Sequence, residues 1–141
     1  MESIILNILR QISFFQSLSE SDQLSLIDNV KIEFFPENHV IFKEGDEADG
    51  MYIIRSGEVR IYRSRENDTE HTIAVLKEND FFGEMALISH EQRSASVRTL
   101  TETEVFIIQE KDLRELLEKK PEISQKISEG FVRRSKENSA E

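Results

Sequence analysis

Between Asp80 and Thr99 the sequence reads DFFGEMALISHEQRSASVRT, and this stretch carries residue types that suit an anion. Phe81 and Phe82 read as strand and meet Gly83. Glu84, Met85, Ala86, Leu87 and Ile88 follow, good helix formers placed where a long helix has no room. A single helical turn starting near Gly83 points its free N–H groups outward, an arrangement that favours an anion. The glycine lets backbone come close to a ligand. Ten residues after Gly83 stands Arg93, which can fork onto phosphate oxygens. Ser94, Ala95 and Ser96 leave room beside it and offer hydroxyl and N–H donors. Helix N-terminus, arginine and small donors together describe a phosphate cradle. Glu84 would repel phosphate, but it fits if it accepts from a hydroxyl, as an acidic residue does with a ribose in dinucleotide sites. Taken singly, Arg93 and Glu84 are a surface charge pair, Gly83 a turn glycine and Ser94 a strand-end serine bonding its own backbone. Their joint spacing favours the cradle.

Three stretches position that segment. From Ser3 to about Val30 the pattern is helical, with Ile4, Ile5, Ile8, Leu9 and Ile12 at helical spacing. Ser19 with Asp22 is a capping pattern, and Leu24, Ile27 and Val30 continue an apolar stripe. Phe14, Phe15 and Leu18 form an apolar elbow between the two helices. From about Lys31 to Gln109 short segments rich in Ile, Val, Phe and Tyr alternate with turn signals: KIEFF, HVIFK, MYIIRSGEVRIYRS, HTIAVL, SASVRT and EVFII. In Glu58–Arg63, Val59, Ile61 and Arg63 share one face, and Arg60 and Tyr62 the other. Many short strands at even spacing predict a sandwich or barrel. From Glu110 onward Leu113, Leu116 and Leu117 form a helical stripe, and Pro121 suits the first turn of a second helix. The expected organisation is one domain over 1–141: helices over 1–30, a β unit over 31–109 and helices over 110–141.

Composition bounds the function. A chain of 141 residues buries enough surface to fold without a disulfide or metal. With no Cys there is no disulfide frame, thiolate zinc site or cysteine nucleophile. Against 18 Lys+Arg stand 28 Asp+Glu, a formal net of −10, and a field of that sign repels DNA and anionic membranes. No stretch approaches the ~20 apolar residues of a bilayer span, and the start lacks the pattern of a signal peptide. The expected compartment is the cytoplasm, with no membrane partner. His39, His71 and His90 do not stand at HxH or HExxH spacing, so the expectation is no metal and solvated histidines. No plausible nucleophile–base pair is evident, so the expectation is no catalytic residue and no enzyme.

FGEMAL followed by RSASV at this spacing resembles the phosphate-binding cassette of cyclic nucleotide-binding domains. GDEADGMYIIRSGEVRIY resembles the glycine-containing strand pair of that family, and HVIFKEGD the strand leading into it. The resemblance runs from about Phe14 to Leu117. It implies an α+β fold, an antiparallel β-roll or jelly-roll barrel flanked by N-terminal and C-terminal helices. It also implies roles. Arg93 pairs with the cyclic phosphate, and Glu84 binds the ribose 2′-hydroxyl. Gly83, Met85, Ala86 and Leu87 belong to the short cassette helix, with backbone N–H groups of Gly83, Glu84 and Ala86 as donors. Ser94 and Ala95 are the small pair after the arginine, and Gly45 and Gly57 sit at barrel turns. In the family a Thr at the position of Ser94 accompanies cGMP, whereas Ser occurs in catabolite-activator-like members that bind cAMP. The ligand implied is therefore cAMP, ahead of cGMP, and no catalytic cofactor is implied.

The C-terminal stripe Ile123, Ile127, Phe131 and Val132 has two readings. One is core or homodimer packing; the other makes Phe131 and Val132 a hydrophobic lid on the base. The basic run Arg133, Arg134 and Lys136 is short and followed by acidic residues, which suits a solvated tail. The roughly two dozen residues after the first C-terminal helix leave no room for a helix-turn-helix, so the expectation is no DNA-binding segment. Output therefore falls to a separate protein effector or to self-association. The rival from another class is a degenerate roll that serves as a scaffold with an empty cradle.

Overall fold

The structure is a computed structural model and describes residues 2–11, 13–16, 18–65, 69–83, 92–122 and 125. Three helices come first: α1 (Glu2–Leu9), α2 (Ser13–Gln16) and α3 (Glu20–Asp28). Eight strands follow: β1 (Lys31–Phe35), β2 (Val40–Phe42), β3 (Gly50–Ser56), β4 (Val59–Ser64), β5 (Glu70–Leu76), β6 (Phe81–Phe82), β7 (Ser96–Thr99) and β8 (Thr103–Gln109). Helix α4 (Glu110–Lys119) continues directly from β8. The strands form two four-stranded antiparallel sheets, ordered β1-β8-β3-β6 and β2-β7-β4-β5. This is the α+β roll expected from the sequence.

Side-chain alternation on the two central strands divides the core. In β3 and β8, Met51, Ile53, Phe106 and Ile108 point to one face, and Tyr52, Ile54, Val105 and Ile107 to the other. The first set packs with Ile5, Leu9, Phe15, Leu18, Leu26, Ile27, Leu113 and Leu116 of the helices. The second meets Val59, Ala74, Leu76, Phe82 and Val97 between the sheets. Burial on both faces explains why MYII and VFII are unbroken apolar runs.

Ser19 caps α3 by accepting from the Asp22 N–H at 3.2 Å, as its spacing predicts. The elbow differs from expectation, since it is itself a helical turn, α2. Phe15 is buried there, and its carbonyl accepts from the buried Gln23 amide at 3.0 Å. The side chains of Ile4, Ile8, Ile12 and Phe14 lie outside the description. At the C-terminal end Lys120 reaches Asp22 at 2.8 Å, tying the end of α4 to the start of α3. That contact holds the Asp22 carboxyl below its ordinary value. The second C-terminal helix expected from Pro121 falls almost entirely outside the described residues.

Strand β4 follows the expected alternation. Val59 and Ile61 pack between the sheets, while Arg60 stacks over the Tyr62 ring at 4.9 Å on the outer face. A register shift beside Ile61 and Tyr62 bends the β4–β5 pair. The β3–β4 turn requires Gly57, at φ +98°: a Cβ there would lie 2.6 Å from Thr103 Oγ1.

Candidate functional site

Arg93 is held by backbone before its side chain does anything. Its N–H donates to the Asp46 carbonyl and its own carbonyl accepts from the Gly45 N–H, both at 2.8 Å. Three residues on, Ser96 Oγ accepts from the Glu44 N–H at 2.9 Å. Ser94 lies between, its carbonyl accepting from Arg63 Nε at 3.0 Å. The 93–96 segment is thus laced to the 44–46 turn and to the end of β4. That turn is closed by Asp46, whose carboxylate accepts from the Lys43 N–H at 2.9 Å.

The guanidinium points into the roll and is only 3% exposed. Nη1 donates to the Gly83 carbonyl at 2.5 Å. Nη2 donates to the Gly50 carbonyl at 2.8 Å and to Asp49 Oδ1 at 3.0 Å. Its Cζ lies 4.1 Å from the centroid of the Phe42 ring and 5.8 Å from that of Tyr52. Phe82 stacks on Tyr52 at 5.1 Å, completing an aromatic wall. Nε is buried and has no partner among the described residues.

Gly83 fits this arrangement for two separate reasons. Its φ of +86° is a conformation L side chains rarely adopt, and a Cβ there would lie 2.7 Å from Arg93 Nη1. A glycine is needed so that backbone and guanidinium can touch.

The electrostatics are unbalanced. A buried guanidinium is costly unless paired. Here its only described carboxylate is Asp49, whose side chain is 71% exposed. Asp49 also accepts from the Tyr52 hydroxyl at 3.3 Å. Burial and the Asp49 charge hold the Tyr52 phenol above its ordinary value, so it remains a donor. The result is a buried cation with an unused Nε–H, neutralised by one carboxylate that water already reaches. Chemically, a guanidinium so placed can accept a compact anion that shares or replaces the Asp49 contact.

Of the residues singled out in the sequence, Gly83 and Arg93 are in direct contact, and Ser94 and Ala95 follow in the laced segment. Ser94 is exposed and Ala95 half-buried. Glu84, Met85, Ala86, Leu87, Phe131 and Val132 lie outside the described residues. His39 and His71 are exposed, and His90 lies outside the description. Among the described residues no three His, Asp or Glu gather as a metal site. No described helix is long and apolar enough to cross a membrane. Asp49, Phe42 and Tyr52 are the members of the site that the sequence did not single out.

Residues 32–120 match the family model described as the cyclic nucleotide-binding domain. The chain is 31% identical over 127 residues to the CRP-like cAMP-activated global transcriptional regulator of Mycobacterium tuberculosis, covering 90% of this chain and 57% of the regulator. It is 35% identical over 96 residues to the cGMP-dependent protein kinase egl-4 of Caenorhabditis elegans, covering 67% of this chain and 12% of the kinase. The chain thus spans little more than half of one relative and a small part of the other. Among solved structures it superposes on the Thermus thermophilus catabolite activator protein with a TM-score of 0.75 at 27% identity, covering 90% of this chain and 60% of that one.

Proposed function

This chain belongs to the cyclic nucleotide-binding domain family, and from that premise we propose that it is a sensing module that binds cAMP in preference to cGMP and performs no chemistry of its own. The observation that carries this reading is the Arg93 guanidinium, buried, aromatic-backed and left with one mostly exposed carboxylate. A cyclic phosphate is a compact monoanion of the kind such a cation lacks. On binding it shares the guanidinium with Asp49 and draws Nη1 from the Gly83 carbonyl. Backbone N–H groups of Gly83, Glu84 and Ala86 donate to the phosphate, and Glu84 accepts from the ribose 2′-hydroxyl. Met85 and Leu87 complete the apolar side of the cradle, and Ser94 and Ala95 flank the base. Ser94, rather than Thr, is what favours cAMP.

The signal passes through the C-terminal helices. Phe131 and Val132 close over the base in the bound state, and binding favours one placement of those helices over another. A separate protein effector, or a second copy of the chain, reads that placement. The expected setting is the cytoplasm.

A second reading, a scaffold that leaves the cradle empty, draws on the fact that both Nη groups of Arg93 are engaged by the chain itself. Native mass spectrometry separates the two. The sensor reading expects a chain carrying one cAMP after mixing with the nucleotide. A bare chain at millimolar cAMP and cGMP overturns it and leaves the scaffold.

A further inference from the structure

Among the described residues strand β1 ends its sheet, paired with β8 on one side only. Edge strands are templates for further pairing unless something blunts them. The other edges are blunted by length or irregularity. β6 has two residues and β2 three, and β5 is bent by the register shift against β4. β1 runs five residues in unbroken register, Lys31–Phe35 against Ile107–Thr103. It holds no proline until Pro36 closes it. Its side chains are exposed up to Phe34, with Ile32 42% and Phe34 61% accessible. Ile32 lies opposite Phe106 and Phe34 opposite Glu104, so both large apolar groups stand on the helix-covered face, past the edge of its cover. Two such groups beside an open strand edge are more than scattered surface apolars.

The charges on β1 select its partner. Lys31 and Glu33 alternate with Ile32 and Phe34. Paired antiparallel with its own copy about Ile32, the strand sets Lys31 against Glu33 twice, Ile32 against Ile32, and Phe34 against Val30. Paired about Glu33 instead, it sets two carboxylates face to face, a destabilising arrangement. Charge rules out centring on Lys31 or Glu33, and a pairing about Phe34 would bring Pro36, which has no N–H to donate, into the ladder opposite Ile32. Pairing about Ile32 remains, and a two-fold axis is the symmetry such pairing demands. We propose that β1 is a docking edge for β1 of a second copy of this chain, antiparallel and centred on Ile32, joining two sheets into one. A contact of one strand per chain is at the low end of interface size, under about 1,200 Å² in total, so the dimer is weak and concentration-dependent.

The absence of Cys makes a clean test possible. In this register two Ile32 α-carbons lie about 4.5–5.5 Å apart, within disulfide reach. Two Phe34 α-carbons are offset by four residues, roughly 13 Å, beyond it. Under mild oxidation of concentrated protein, Ile32→Cys is expected to form a covalent dimer that reductant dissolves, and Phe34→Cys to stay monomeric. By sedimentation velocity, Glu33→Lys is expected to abolish the reversible dimer, and Lys31→Glu/Glu33→Lys together to restore it. Equal cross-linking of the two cysteine variants overturns the register. A chain monomeric at every concentration, or a dimer indifferent to Glu33→Lys, overturns the docking edge itself.

Discussion

Two arginine–aromatic stacks sit on opposite faces of the β2-β7-β4-β5 sheet and are held differently. Inside the roll, Arg93 lies on Phe42 and Tyr52, held by two carbonyls and the exposed Asp49. On the outer face, Arg60 and Arg98 lie over Tyr62 at 4.9 and 5.0 Å, with Glu70 accepting from both. Residue types nearly match. What differs is desolvation and how firmly the carboxylate is held. The outer pair is partly exposed and shares a carboxylate held in place from two sides, with Tyr62 and Thr72 as further partners. The inner arginine is desolvated, keeps a spare Nε–H, and meets a carboxylate that is mostly in water. A desolvated arginine beside a solvated carboxylate keeps charge uncompensated, whereas a surface arginine on a carboxylate fixed from two sides is already satisfied.

Substituting each arginine should separate these roles most sharply. Arg93→Leu should weaken cyclic nucleotide binding by about 2–4 kcal/mol, because a buried phosphate loses its charged partner. The same change should lower the melting temperature only modestly, since Asp49 returns to water while the buried Gly50 carbonyl loses its donor. A large fall in melting temperature with intact affinity would erase the comparison. Gly83→Ala is next in size. The positive φ costs about 1–2 kcal/mol for a residue with a Cβ, and the methyl pushes on Arg93 Nη1. Both melting temperature and affinity should drop, read by thermal melts and titration of the same preparation.

Arg98→Met should differ from Arg93→Leu in leaving affinity unchanged, with a melting temperature lower by about 2 °C, as for a partly exposed ion pair. The smallest effect concerns acid. Hydrogen bonds from Arg60 and Arg98 hold the Glu70 carboxyl below its ordinary value. A depressed carboxylate stabilises the fold above its unfolded value, about 4.3, and that contribution fades as pH falls through the lowered one. The stability gap between wild type and Glu70→Gln should therefore narrow on acidification, measured as melting temperature against pH.

The Arg93 stack was half legible in the sequence and the outer stack hardly at all. Arg93 stands out because small residues follow it and a glycine precedes it at a distance that suits a cradle. Asp49 does not, because it sits in EGDEAD among three other acids. These four look like one solvated turn, yet Asp46 closes the backbone at Lys43, Glu47 accepts from Gln92 at 3.3 Å, and Asp49 takes Arg93. Only the fold tells them apart. Glu70 and Arg98 stand 28 residues apart and meet Arg60 only because β5 and β7 flank β4. Local chemistry was easier to read: the Ser19 cap followed from spacing alone. The elbow at Phe15 folded into a helical turn because tertiary packing of a large buried ring outweighs weak local propensity.

The central claim, that Arg93 is the anion seat of a cyclic nucleotide sensor, is tested most directly by calorimetric titration of wild type and Arg93→Leu with cAMP and cGMP. The account predicts saturable binding of one nucleotide per wild-type chain, tighter for cAMP, and loss of binding in a variant that still melts cooperatively. Equal affinity in the two proteins, or no heat of binding in wild type at millimolar nucleotide, would contradict it.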